Sequence, residues 1–258
     1  MERIIFFGNG PLADYALSKL ESKLEVVFHA KTREDLSTVR ELRAKNPTIH
    51  GVLASFGVLI PESVLEVFEP EGILNIHPSL LPLYRGASPI ESAILAGDSN
   101  FSVSVMKLVK AMDAGPIYWQ TTLSGLPLEK DGIYRALAET GAEWICKNLS
   151  NLPTPTPQDD SEATFCGKMD KSMSMLTPET DTAEATLRKI VAYQGYPKPK
   201  YTFFGQNCII LDAHALKAGG EASLTIKCAD GHSVAVDRLQ PEGRKAMDAK
   251  AFLNGYKR

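Results

Sequence analysis

Apolar residues recur in short runs over the first third of the chain. Residues 3–7 (Arg-Ile-Ile-Phe-Phe), 24–28 (Leu-Glu-Val-Val-Phe), 50–54 (His-Gly-Val-Leu-Ala) and 72–76 (Gly-Ile-Leu-Asn-Ile) predict strands, and 11–21, 34–45 and 62–68 between them predict helices. Pro61 sits where a helix would start. Strands alternating with helices predict parallel pairing, right-handed crossovers and an open α/β sheet. Ligands in such sheets collect beyond the carboxyl ends of the strands. The pattern continues with a helix at 87–97, strands at 101–109 and 116–123, and a helix at 131–149. Pro153, Pro155 and Pro157 then break every period, which predicts an extended connector and a domain boundary. After it come a helix at about 181–194, a turn through Gly195 and Pro197, and strands at 201–204, 207–215, 222–228 and 232–239. Their spacing, with Gly205, Gly219, Gly220 and Gly231, predicts a small antiparallel barrel of the OB-like kind. The expected division is a domain at 1–150, a Pro-rich linker at 151–164 and a second domain at 165–258.

Composition narrows the class. With 258 residues, 44% hydrophobic and 23% charged, the chain has the make-up of an ordinary soluble two-domain protein, not of a disordered or membrane one. The opening Met-Glu-Arg-Ile-Ile-Phe-Phe-Gly runs straight into a strand and a glycine, leaving no space for a signal or transit peptide, so a cytoplasmic location is expected. Cys146, Cys166, Cys208 and Cys228 are too scattered for a zinc or dithiol motif and read as reduced thiols. The net charge of −3 hides an asymmetry: residues 1–160 carry 14 Lys/Arg against 20 Asp/Glu, and residues 161–258 carry 14 against 11. A basic second half suggests a polyanionic partner, while the acidic first half does the chemistry.

The chemistry gathers in one place. Asn75 and His77 lie one residue apart at a strand end, so alternation sends both side chains to one face; Pro78 then presets a loop, and Asp113-Ala-Gly115 follows later. A lone Asn-x-His is usually a satisfied polar pair. Joined by a carboxylate and a rigid loop, it suits acyl transfer to an amine. The amide donates to a developing oxyanion, the imidazole moves a proton, and the carboxylate orients the imidazole and, if ionised, raises its pKa. The first turn, Gly8-Asn-Gly10-Pro-Leu-Ala13, resembles a dinucleotide fingerprint, yet the second strand ends Phe28-His29-Ala30-Lys31 with no acidic residue for a ribose. Those glycines therefore read as a tight strand-to-helix turn. His29, His50, His214 and His232 have no ligand-like neighbours, and no metal is required.

Asn75-x-His77, Ser79-Leu80-Leu81-Pro82, Arg85-Gly86 and Asp113-x-Gly115 together resemble the folate-dependent formyltransferases. Ser55-Phe56-Gly57-Val-Leu-Ile60-Pro61 is similar to that family's strand-to-loop turn, and Lys168-Met-Asp170-Lys171 to its interdomain basic loop. Leu239-Gln240-Pro241-Glu-Gly243-Arg-Lys245-Ala246-Met247 resembles the tail of the methionyl-tRNA formyltransferase branch. The resemblance implies transfer of a formyl group from 10-formyltetrahydrofolate, a co-substrate, to the α-amino group of initiator methionyl-tRNA, by a monomer. It implies Asn75, His77 and Asp113 as catalytic residues, and Ser79, Leu80, Leu81, Pro82, Phe56, Ile60 and Arg85 around the folate, with Arg85 either neutralising a folate carboxylate or structural. It also points to Lys168, Lys171, Lys198, Lys200, Arg244 and Lys245 as contacts to the tRNA. One segment departs from the family: where an extended Gly/Arg/Lys-rich loop is usual, Lys31 to Pro47 reads as one compact helix, and the chain is short. The alternative is a formyltransferase for a small amine such as an amino sugar or glycinamide nucleotide, which the shortened loop favours and the basic barrel disfavours.

Overall fold

The computed structural model describes residues 1–216 and 220–256; Gly219 of the expected turn and the last two residues of the expected second domain lie outside them. The chain divides into two compact units, one of residues 1–90 and 99–167, the other of 91–98 and 168 onward.

Unit 1 is built on β1 (Arg3–Phe7), α1 (Pro11–Glu21), β2 (Glu25–Ala30), α2 (Asp35–Lys45), β3 (His50–Leu53), a short helix α3 (Glu62–Leu65) and β4 (Ile73–His77). β5 (Arg85–Gly86), α4 (Pro89–Ala96), β6 (Asn100–Lys107), β7 (Ile117–Ser124), α5 (Lys130–Asn148) and β8 (Phe165–Cys166) follow, with α4 counting with the second unit from Glu91. Six strands form one sheet in the order β2-β1-β3-β4-β6-β7. The first four pair in parallel, and β6 and β7 are antiparallel. Ile4 to Phe7 of β1 and all of β4 are buried, as expected of strands covered on both faces. This is why they stand out as unbroken apolar runs. The glycine turn after β1 is steric in origin: a Cβ on Gly8 would stand 2.1 Å from the Ala54 carbonyl oxygen and 2.8 Å from Ala13 Cβ. Pro11 then opens α1. Lys19 of α1 pairs with Glu143 of α5 at 2.6 Å, and the two tryptophans Trp119 and Trp144 stack with centroids 5.6 Å apart.

After β2 the chain does form the compact helix expected for residues 31–47. The Asp35 carboxylate accepts from the backbone N–H of Lys31 (2.8 Å) and Thr32 (2.9 Å), closing the entry to α2. The expected connector at 151–164 belongs to unit 1 and is stitched into it: Thr156 exchanges 2.8 Å backbone bonds with Ile117, and β8 pairs with β5.

Unit 2 carries α6 (Ala183–Ala192), β9 (Lys200–Phe203), β10 (Gln206–Ala215), β11 (Thr225–Lys227), β12 (Ser233–Pro241), β13 (Met247–Asp248) and α7 (Ala249–Tyr256). The strands make an antiparallel half-barrel in the order β11-β12-β10-β9, with β13 on β12. Thr182 caps α6 by accepting from the Ala185 N–H at 3.1 Å. Ile190, Phe203, Ile210, Ile226, Val234, Leu239 and Phe252 fill its core. All four cysteines are free thiols. Among the described residues no helix is long and apolar enough to cross a membrane, and no cluster of His, Cys, Asp and Glu is arranged to hold a metal ion.

Candidate active site

β4 delivers Asn75 and His77 to one face at its carboxyl end, both buried (5% and 4% exposed). Pro78 ends the strand and the chain folds back on itself. The Ser79 N–H donates to the His77 carbonyl (2.9 Å), the Ser79 hydroxyl to the Leu83 carbonyl (2.6 Å), and Ser104 of β6 both donates to the Ser79 carbonyl (2.7 Å) and accepts from the Leu81 N–H (3.2 Å). This loop sets Tyr84 in a left-handed conformation, φ 56°. That geometry puts the Tyr84 carbonyl 3.1 Å from His77 Nε2. A carbonyl can only accept, so Nε2 carries a hydrogen and the chemistry of the ring falls to Nδ1.

Nδ1 faces Asp113, whose Oδ1 lies 3.6 Å away. That gap is too long for a direct hydrogen bond but short enough for strong electrostatic coupling. The other carboxylate oxygen, Oδ2, accepts from the Gly86 N–H at 2.9 Å. Asp113 is itself left-handed, φ 49°. Two non-glycine residues in that conformation flank one imidazole; each costs about 1–3 kcal/mol and persists only where the surroundings enforce it. Burial pushes the His77 pKa below its ordinary value of 6.5, although the Asp113 charge and the bond to Tyr84 both pull it up. The expected raising effect of Asp113 is therefore present and is outweighed by desolvation. His77 is a neutral imidazole at pH 7.

The Asn75 amide has no hydrogen-bond partner among the described residues. Fully enclosed polar atoms lacking a partner are confined there to Arg43 Nε, Gln120 Oε1 and Arg188 Nε, so this amide opens onto solvent as a free donor.

The other expected residues are placed as follows. Ser79 and Leu81 are buried in the loop, Leu80 and Pro82 half-buried, and Leu83 stands exposed beside them. Phe56 and Ile60, expected around the folate, are buried in an apolar cluster, Phe56 packing edge-on against Phe7; Leu59, 80% exposed, is a residue of that turn that faces out. Arg85 is 4% exposed and its guanidinium is taken up by Gln158 (3.0 and 2.8 Å) and Asp160 (2.7 Å), so of its two expected roles the structural one fits. The residues that sequence reasoning missed act through the backbone, at Tyr84 and Gly86, or across a long separation, at Gln158. A cavity of about 420 Å³ lined by Trp119, Glu143, Trp144 and Lys147 shares no residue with the trio.

In unit 2, Lys168, Lys171, Lys198, Arg244 and Lys245 are exposed and Lys200 half-buried. Lys200, Ile209 and Gln240 form one row across β9, β10 and β12, so their side chains share a face. Gln240 Nε2 donates to the Arg244 carbonyl at 3.0 Å, which draws the Arg244–Lys245 turn to the end of that row.

Two family models match the chain in order: "Formyl transferase" over residues 11–149 and "Formyl transferase, C-terminal domain" over residues 168–257. A protein named methionyl-tRNA formyltransferase from Thermus thermophilus is 34% identical over 261 residues, covering 95% of this chain and 82% of its own. Among solved structures, methionyl-tRNA formyltransferase from Clostridium thermocellum shares the fold with a TM-score of 0.69 at 21% identity, over 93% of this chain and 98% of that one. HypX from Aquifex aeolicus, in complex with tetrahydrofolic acid, gives 0.73 at 20% identity over 99% of this chain, which spans about half (47%) of that longer protein.

Proposed function

The chain belongs to the formyl transferase family, and on that premise we propose that it transfers the formyl group of 10-formyltetrahydrofolate to the α-amino group of methionyl-tRNA. The observation that carries the reading is His77, neutral and enclosed, held through Nε2 by the Tyr84 carbonyl and facing Asp113 through Nδ1, with the free amide of Asn75 on the same face of β4.

The reaction joins the amine nitrogen to the formyl carbon, breaks the bond from that carbon to the folate nitrogen, and moves one proton from the amine to the leaving nitrogen. Asn75 supplies the N–H that meets the developing oxyanion; a donor of this kind typically lowers the barrier by roughly 3–4 kcal/mol. His77 takes the proton on Nδ1, and the Asp113 carboxylate favours the imidazolium at that moment. Burial keeps the ring neutral until then, so it acts as a base when the amine attacks. Leu59 in the Ser55–Pro61 turn, Leu83 in the loop after His77 and Met112 next to Asp113 are exposed apolar side chains that suit the planar ring of a folate. Lys200 and the Arg244–Lys245 turn of unit 2 suit the phosphates of an acceptor arm, a contact that positions the RNA without reading its bases. The same proposal sets the protein in the cytoplasm, as a monomer, beside the translation machinery that supplies its tRNA.

Asn75→Ala and His77→Ala variants that keep the parent's circular dichroism should lose formylation by about a hundredfold or more. Turnover within about tenfold of the parent would remove these residues from the reaction.

A further inference from the structure

Asp113 and the backbone groups around His77 lie on separate segments, one in the loop after β6 and the other in the loop after β4. Beside the bond from the Gly86 N–H to Asp113, a side chain from a third segment ties them together. Gln158 donates from Nε2 to the main-chain carbonyls of Asp113 (2.8 Å) and Gly115 (2.7 Å), and its Oε1 accepts from Nε (3.0 Å) and Nη2 (2.8 Å) of Arg85. Both donors and both lone pairs of the amide are thereby used, and the chemistry fixes its orientation. Turned over, it would set an NH2 against a guanidinium and an oxygen against two carbonyls.

Arg85 lies between the two backbone groups that hold the reacting pair: the Tyr84 carbonyl on His77 and the Gly86 N–H on Asp113. Its charge is answered by Asp160, which leaves the Asp113 carboxylate free to face the imidazole. The turn at Asp113 needs such a brace. Asp113 is left-handed, and Gly115 packs so tightly that a Cβ there would stand 1.8 Å from the Lys107 carbonyl oxygen. Relaxation of the turn would swing the carboxylate off Nδ1.

We propose that Gln158, seated on Arg85, is a positioning residue for formyl transfer: it clamps the Asp113–Gly115 turn so that one carboxylate oxygen stays on the Gly86 N–H and the other faces His77. The inference rests on the reading of Asn75, His77 and Asp113 given above. A carboxylate at this position would still accept from Arg85 but would lose both donations to the turn, which separates bracing from mere packing.

The test is a double-mutant cycle in the full-length protein, with Gln158→Ala, Gln158→Glu, Asp113→Asn and the combination of Gln158→Ala with Asp113→Asn, each checked by thermal unfolding and assayed at pH 8 with 10-formyltetrahydrofolate and methionyl-tRNA. Both Gln158 variants should lower kcat by roughly tenfold to a hundredfold, with KM for either substrate changed less than about threefold. Added to Asp113→Asn, Gln158→Ala should cost less than about twofold more, because its effect runs through Asp113. Full additivity, or a loss confined to KM, would overturn the positioning role. If Asp113→Asn is severe and Gln158→Glu keeps the parent's kcat, the inference fails while the catalytic reading stands. If Asp113→Asn itself stays within about tenfold of the parent, the catalytic reading fails and this inference with it.

Discussion

His77 holds its basicity between opposed forces: burial favours the neutral ring, and Asp113 and the Tyr84 carbonyl favour the charged one. Enclosure wins, and the sign has a consequence for stability. Above pH 6.5 the ring is neutral whether the chain is folded or unfolded. As the pH drops below that value the unfolded chain takes up a proton that the folded one resists, so stability falls until the folded ring titrates in turn. His50, also depressed by burial, adds to the same loss. Denaturant unfolding at pH 7 and pH 5 should therefore show a larger drop in midpoint for the parent than for His77→Gln, which lacks the His77 contribution. Equal drops would contradict the burial argument. The trio could be read from sequence because three chemically distinctive residues sit within 39 positions and two share a strand face. What aims them could not, because a backbone carbonyl at Tyr84 and an N–H at Gly86 have no letter of their own in a sequence. Gln158 is hidden for another reason. It lies 45 residues from Asp113 and 73 from Arg85, inside a segment whose prolines read as a linker.

β4 is the element on which the chemistry stands, and its two faces have separate duties. Asn75 and His77 point one way; Ile76 points the other, against α5, where a Cβ on Gly141 would meet Ile76 Cγ2 at 2.7 Å and Val103 Cγ2 at 3.2 Å. Gly141→Ala should push α5 off the sheet at Ile76, the residue between Asn75 and His77. The expected cost is about 1–3 kcal/mol in urea unfolding, with a fall in kcat. An unchanged midpoint and unchanged kcat would show that the helix moves aside freely. β1, β3 and β4 were legible because burial on both faces writes them as largely apolar runs, and the long helices because their period lasts several turns. β5, β8 and β13 are two residues each and too short for alternation to register. No element is expected beyond residue 239, and only the burial of Phe252 at 0% shows that α7 completes a core. The residues 62–68 read as one helix but divide into a short helix and a 3₁₀ turn at Glu66–Phe68. Phe56 and Ile60 keep two readings for a simple reason: an apolar residue suits a ligand wall and a core equally well, and both are buried in an apolar cluster.

On the scale of the whole molecule, the basic excess and the candidate site belong to different parts of the chain. The trio is in unit 1, and residues 161–258 hold the basic excess of 14 Lys/Arg against 11 Asp/Glu. Cutting the chain at 161 would not separate the roles cleanly, since it would remove β8 and the Thr164 carbonyl that accepts from the Arg85 N–H at 2.9 Å. Charge reversal is the cleaner probe. Lys200→Glu combined with Arg244→Glu and Lys245→Glu should raise KM for methionyl-tRNA at least about tenfold, flatten its salt dependence by roughly one logarithmic unit per lost phosphate contact, and leave KM for the folate alone. A matching rise in the folate KM would argue against a division of labour. The central claim is that the enclosed His77, with Asn75 and Asp113, moves a formyl group onto the amine of methionyl-tRNA. Its most direct test is to incubate the protein with 10-formyltetrahydrofolate and an equimolar mixture of methionyl-tRNA, an amino sugar nucleotide and glycinamide ribonucleotide, and to identify the formylated product by mass. The account predicts N-formylmethionyl-tRNA as the dominant product and its loss in His77→Ala; formylation of a small amine in its place, or methionyl-tRNA formylation that survives His77→Ala, would contradict it.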